Sequence, residues 1–223
     1  MAAAAKKRAV VFDFDGVVAD SWKLHESCWR QILKRHGAVL DDDVLEKAIG
    51  WTSHETAQVL AKELDLKVDP NTLGDEKSAM MFERYEKEMP VMPGIVPAIK
   101  RLSEHFHLAV TAGRKRSLVE PTLKRYGLAD TFELVLGRDD RRKGEELDDL
   151  LAKVPKHFKI RADQCTMVDD SRNGLLAAER AGMKSIAFDS NPKHDADYSM
   201  ADAVINSPDE LVPELVNSVL ATS

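Results

Sequence analysis

Asp13 and Asp15 directly follow the apolar run Val10-Val11-Phe12, and Asp169 with Asp170 directly follows Thr166-Met167-Val168. Short apolar runs of this kind form buried parallel strands, so each acidic pair falls where a strand reaches its carboxyl end. Open α/β sheets place their ligand crevice at those ends. With a side-chain period of two, Asp13 and Asp15 are expected to lean the same way, over one crevice. Carboxylates gathered there repel each other and resist desolvation unless a cation, or a division of labour, separates their roles. Three or four of them around one point suit Mg2+, a hard cation that takes oxygen ligands and keeps waters for a substrate's phosphate. One carboxylate would then attack phosphorus while another handles protons.

Two further groups occur at strand ends. Thr111 closes the run Leu108-Ala109-Val110, and Lys143 follows Leu134-Val135-Leu136 by a short loop. A hydroxyl, an ammonium and the backbone N–H groups of Ala112 and Gly113 suit phosphate oxygens. Alone, Thr111 reads as a turn hydroxyl and Lys143 as part of the solvated charged run 138–146. All four strand ends lie on one edge of a parallel sheet, and that favours the chemical reading.

The elements that must position these groups alternate. After Gly113 a helix runs to Tyr126; another spans Glu145 to Val154, and a third Leu175 to Ala181, closed by Gly182. Short strands follow at Ser185–Phe188 and Ala203–Ile205. Strands alternating with helices predict a Rossmann-like parallel sheet covered on both faces. The first strand gives way instead to a run of helices. Leu24, Cys28, Trp29, Ile32 and Leu33 form a helical stripe between Trp22 and His36, ended by Gly37. Further helices are expected over Asp41 to Ile49, from the Thr52-Ser53-His54-Glu55 capping pattern to about Leu64, and over Thr72 to Met89. The expected organisation is therefore an α/β core of residues 1–17 and 91–223, with an α-helical cap domain of residues 18–90 inserted.

At 223 residues the chain has ample material for a core. A hydrophobic fraction of 43%, a charged fraction of 31% and a mean hydropathy of -0.33 belong to a soluble globular protein. A net charge of -6 argues against nucleic acid or an anionic membrane as partner. No apolar stretch approaches the roughly 20 residues of a membrane helix. The stretch Met1 to Arg8 reads as a frayed end and not as a secretory signal. Cys28 and Cys165 have no metal-ligand spacing and read as buried free thiols of a cytoplasmic protein.

With these residues in view, the chain resembles the haloacid dehalogenase (HAD) superfamily. Val10-Val11-Phe12-Asp13-Phe14-Asp15-Gly16-Val17-Val18-Ala19-Asp20-Ser21 is similar to its first motif, Thr111 after an apolar strand to the second, and Lys143 to the third. Val168-Asp169-Asp170-Ser171-Arg172-Asn173-Gly174 is similar to the fourth. Gly144 stands where the family often has proline after the lysine. The resemblance covers nearly the whole chain and implies a helical cap after the first strand, as in phosphoglycolate phosphatases and β-phosphoglucomutases.

The resemblance further implies Asp13 as nucleophile and Asp15 as general acid/base. It implies Mg2+ held by the Asp13 side chain, the Asp15 carbonyl and Asp170, with Asp169 ligating or orienting a water. Thr111, Lys143 and the backbone at Ala112 and Gly113 would hold phosphoryl oxygens. His25, Trp51 and His54 are candidate substrate contacts, and equally partly buried or surface residues of the cap. An acid at position 15 speaks against a dehalogenase. The expected activity is Mg2+-dependent hydrolysis of a small phosphorylated metabolite through an aspartyl-phosphate. A phosphomutase shares every core residue and remains the enzyme alternative. A non-catalytic phospho-acceptor module is the alternative of another class, although such modules lack a cap. Substrate and oligomeric state stay open, and a monomer suffices for this chemistry.

Overall fold

The computed structural model describes residues 7–41, 44, 53–189 and 197–222. Among them the chain divides into two compact units, one holding residues up to Asp20 and most of the chain from Val91 onward, the other Ser21–Pro90.

The first unit is a six-stranded sheet. Its strands are β1 (Ala9–Asp13), β2 (His107–Thr111), β3 (Leu134–Leu136), β4 (Cys165–Asp169), β5 (Lys184–Phe188) and β6 (Ala203–Ile205), in the order β3-β2-β1-β4-β5-β6. Every pairing is parallel. The chain builds outward from β1 to β3, then restarts at β4 on the other side of β1. That reversal opens a crevice between the carboxyl ends of β1 and β4, where doubly wound sheets bind ligands. Ala9, Val10, Val11 and Phe12 have no exposed surface. Their alternation sends Ala9 and Val11 into a cluster with Ala109, Cys165, Met167 and the helix residues Leu150, Leu151, Val154, Ala177 and Ala178. Phe12 points the other way and meets Phe132 edge-on at 5.8 Å between ring centres.

The helices of the described residues are numbered along the chain. The helical unit holds α1 (Ser21–Arg35), α2 (Ser53–Glu63) and α3 (Pro70–Glu88). The α/β unit holds α4 (Ile95–Ser103), α5 (Arg116–Arg125), α6 (Leu147–Leu151), α7 (Lys153–Phe158), α8 (Arg172–Arg180) and α9 (Pro213–Val219). The buried residues of α1 are Leu24, Cys28, Trp29, Ile32 and Leu33, the stripe the sequence marks. Trp29, Ile32 and Leu33 pack with Leu40, Ala57, Leu60, Ala61 and Leu73. The helix expected over Asp41 to Ile49 lies, apart from the helical Val44, outside the described residues.

Three local outcomes differ from the sequence reading. The single helix expected over Glu145 to Val154 is two, α6 and α7, meeting at Ala152. Pro155 has no N–H to offer the carbonyl of Leu151, so one continuous ladder cannot form. Helix α4 was masked by the punctuation Met92-Pro93-Gly94 and by Pro97, yet Pro97 sits in the first turn, where its missing N–H costs nothing. Its buried residues Ile95, Ala98, Ile99 and Leu102 have helical spacing. Helix α9 begins the same way, on Pro213.

Candidate active site

Strand register puts the key groups side by side before any side chain is considered. Asp13 pairs with Thr111 of β2, and Phe12 pairs with Val168 of β4, so Asp13 ends β1 between Thr111 and Asp169. Asp170 is the next residue of the crevice. Carboxylate oxygens of Asp13, Asp169 and Asp170 all lie within 4.8 Å of one another.

Two glycines make room for this crowding. A Cβ on Gly16 would stand 2.0 Å from Asp170 Oδ2, and Gly16 has φ +83°, a conformation side chains resist. A Cβ on Gly174 would stand 1.8 Å from Asp169 Oδ2. Both positions therefore act as walls of a carboxylate cradle that only glycine fits. Ser171 aims Asp169, its N–H and its hydroxyl donating to Oδ1 at 2.8 and 2.7 Å. The same Ser171 oxygen accepts from the Gly174 N–H at 3.0 Å and so caps α8. One serine joins the helix start to the acid. On the far side, the Tyr198 hydroxyl donates to the Asp170 carbonyl at 3.0 Å, anchoring the turn that carries that acid.

The electrostatic consequence is large. Burial first, then the charges of Asp169, Asp15 and Asp170, pushes the Asp13 carboxyl well above the usual carboxylate range. Burial raises Asp169 to about 6, while the two bonds from Ser171 pull it back. Burial, and then the Asp169 charge, raises Asp170 to about 7. Acids this crowded share protons unless a cation neutralises them. An all-oxygen set of three carboxylates fits a hard divalent cation, with Mg2+ among the candidates.

Asp15 stands outside this group of three. Strand β1 ends at Asp13, so period-two alternation does not carry to Asp15, which lies in the following turn. Its carboxylate pairs with Arg114, whose Nε lies 3.2 Å from Oδ2. Thr111 has no exposed surface, and its hydroxyl faces the Phe12 carbonyl at 3.5 Å. The expected donor at Ala112 is a correction: its N–H is spent on the Leu136 carbonyl at 2.9 Å, because the ladder runs one residue past Thr111. Gly113 is exposed beside it. Lys143 is exposed, and no hydrogen bond or ion pair joins it to the aspartates among the described residues. Gly144 has φ +91°, which proline cannot adopt, so this turn differs from a Lys-Pro turn by construction.

Within the helical unit, His25 Nδ1 accepts from Lys77 Nζ at 2.8 Å, and Ser53 Oγ accepts from the same ammonium at 3.1 Å. Lys77 is 2% exposed and lies over the Trp29 ring at 5.8 Å. His54 Nε2 meets Asp75 Oδ1 at 2.9 Å. Trp51 lies outside the described residues. Arg114, Ser171 and Tyr198 were not read as site residues from the sequence. Ser171 carried a signal in its capping position before α8, and Arg114 one in following Thr111 by three residues; a bond from Tyr198 to a backbone carbonyl leaves no pattern.

The YqaB protein of Escherichia coli (strain K12), a fructose-1-phosphate phosphatase, is 24% identical over 79% of this chain and 94% of its own length. The phosphoglycolate phosphatase of Shigella boydii serotype 4 (strain Sb227) is 25% identical over 93% of this chain and 92% of its own. The HAD family hydrolase of Deinococcus radiodurans R1, solved with bound phosphate and sodium, superposes with a TM-score of 0.78 at 22% identity, covering 98% of this chain and 99% of that one. The profile of the haloacid dehalogenase-like hydrolases matches residues 10–188, and the chain belongs to that family.

Proposed function

We propose that this protein is a Mg2+-dependent phosphatase that hydrolyses a small phosphorylated metabolite through an aspartyl-phosphate on Asp13. The observation that supports this reading best is the convergence of Asp13, Asp169 and Asp170 at the switch point of the sheet, with Thr111 in register beside Asp13. The relatives named for fructose-1-phosphate and phosphoglycolate hydrolysis agree with that substrate class.

Asp13, Asp170 and the Asp15 carbonyl would hold Mg2+, with Asp169 ligating directly or orienting a water. When bound, the cation supplies positive charge that keeps the acids ionised and offsets charge on the phosphoryl oxygens. An Asp13 oxygen attacks phosphorus as the bond from phosphorus to the ester oxygen breaks, and Asp15 gives that oxygen its proton. Asp15 then takes a proton from a water whose oxygen attacks phosphorus, releasing phosphate and the Asp13 carboxylate. Thr111, Gly113 and Lys143, reaching in from its exposed loop, are the proposed partners of the phosphoryl oxygens. His25, Trp51 and His54 remain proposed substrate contacts of the helical unit. Buried Cys28 and Cys165, both free thiols, suit a reducing cytoplasm.

Phosphorus NMR on the purified chain with Mg2+ tests this against the mutase. Net release of inorganic phosphate from monophosphates is expected, abolished by EDTA and by Asp13→Asn. Conversion of β-glucose 1-phosphate to glucose 6-phosphate faster than phosphate release would instead establish the mutase.

A further inference from the structure

Lys143 lies in the charged loop Arg141-Arg142-Lys143-Gly144-Glu145, which has a glycine and no proline to stiffen it. The Glu145 N–H donates to the Arg142 carbonyl at 3.0 Å, closing a turn with Lys143 and Gly144 in the middle. Of those two only Gly144 has a positive φ, which makes it a type II turn with glycine at the third position. The ends of this turn are tied down. Glu145 Oε2 accepts the Arg142 N–H at 2.9 Å and the Lys153 ammonium at 2.8 Å. Lys153 Nζ also donates to the Asp140 carbonyl at 2.5 Å. Asp140 is bound in turn to Gly137, directly after β3: the Gly137 N–H donates to Asp140 Oδ2 at 2.8 Å, and the Asp140 N–H to the Gly137 carbonyl at 3.0 Å. Lys153 opens α7, and its neighbour Val154 is buried in the cluster with Ala9 and Val11 of β1.

We propose that Lys153 is a positioning residue for the reaction: through Glu145 and the Asp140 carbonyl it holds the 142–145 turn where Lys143 meets the phosphoryl oxygens, giving the loop the stiffness that Gly144 does not. This rests on the phosphatase reading above. An ammonium that offsets charge on a phosphoryl group acts through its place, and a misplacement of about 1 Å can cost about 100-fold in rate. None of the bonds in this chain uses the Lys143 side chain; they fix the backbone from which it extends. One carboxylate oxygen serves both the turn and the ammonium, so the two parts move together. The Lys153 bond first, then the Arg142 N–H, holds the Glu145 carboxyl below the usual carboxylate range, so it stays ionised at neutral pH. The pair is partly open to solvent, 32% for Lys153 and 23% for Glu145 by side chain, and pairs this open add little to stability. Its contribution is geometric.

The test is a double-mutant cycle on the full chain with Mg2+: wild type, Lys153→Met, Lys143→Ala and both together. Release of phosphate from p-nitrophenyl phosphate gives kcat/KM for each, and calorimetry gives the Mg2+-dependent binding of inorganic phosphate. Lys153→Met should lower kcat/KM about 10- to 100-fold while moving the melting temperature by less than about 4 °C. Lys153→Arg, which keeps a cation with several donors, should restore most of the rate. In the Lys143→Ala background the same Lys153→Met change should cost less than about twofold, because the residue it positions is gone. Glu145→Ala should behave as Lys153→Met does in both backgrounds. Where Lys143→Ala leaves no measurable turnover, the cycle is read on phosphate binding, with the same expectation. Losses that add, so that Lys153→Met costs as much without Lys143 as with it, would overturn the inference while the hydrolase reading stands. An unchanged kcat/KM in Lys153→Met would do the same. No phosphate released by the wild type from p-nitrophenyl phosphate, fructose 1-phosphate or 2-phosphoglycolate would overturn the hydrolase reading and this inference with it.

Discussion

Holding Asp13, Asp169 and Asp170 together is a cost to the fold whenever no cation is bound. Their carboxyls titrate above the unfolded value of about 4, Asp169 at about 6 and Asp170 at about 7. Between those limits the folded chain holds protons that the unfolded chain has released. Stability in EDTA should therefore be highest below pH 4 as far as these groups decide it, and fall by on the order of a few kcal/mol as pH rises to 8. Mg2+ at pH 8 should restore it. Thermal melts at pH 5 and 8 of wild type and Asp13→Asn separate this effect from other titrations. Asp13→Asn should be the more stable of the two at pH 8 without metal, yet release no phosphate. A wild type that gains stability from pH 5 to 8 relative to Asp13→Asn would refute the assignment. Gly174 gives the steric counterpart. Alanine in a helix normally gains about 1 kcal/mol over glycine, but here its Cβ would overlap Asp169 at 1.8 Å. Gly174→Ala should lower the melting temperature and weaken Mg2+ binding, by calorimetry, at least tenfold; a stabilised variant with unchanged affinity would show that the cradle gives way freely.

At the scale of elements, α8 starts where it does because Ser171 serves helix and acid at once. Ser171→Ala should cost about 1 kcal/mol for the lost cap and also free Asp169 from a 2.7 Å bond. Chemical denaturation and a Mg2+ titration on one preparation would read both losses, whereas a change in stability alone would make Ser171 only a cap. In the helical unit, α1, α2 and α3 meet around the ammonium of Lys77, which is held by His25 and Ser53. His25→Ala would leave that buried charge short of an acceptor, at a cost of about 1–3 kcal/mol. A shift smaller than about 0.5 kcal/mol in urea unfolding would make His25 dispensable to the fold. Helix α1 was legible from its stripe because one face is buried. The break between α6 and α7 was legible in principle, from Pro155 alone. Helix α4 was hidden by prolines whose meaning depends on where the first turn begins.

Across the whole molecule each unit carries one buried thiol, Cys28 in α1 and Cys165 in β4. Burial raises both, Cys165 to about 12. Neither should react with a thiol reagent at pH 8 in the native protein, and both should in denaturant. In Cys28→Ser, labelling of Cys165 should track global unfolding, since β4 lies between β1 and β5. Labelling of Cys165 far faster than unfolding would mean that the sheet opens locally.

The order of strands and helices, the acidic pairs at strand ends and the apolar faces are local or periodic properties, and the amino-acid sequence by itself determined them. Asp13, Asp169 and Asp170 could be nominated that way because motif and strand end coincide. Tertiary structure alone decided which groups meet. Parallel register set Asp13 between Thr111 and Asp169, and the ladder consumed the Ala112 N–H. The turn after β1 took Asp15 out of the acid cluster and set it against Arg114. These outcomes depend on pairings between strands that are distant along the chain, which no local pattern encodes.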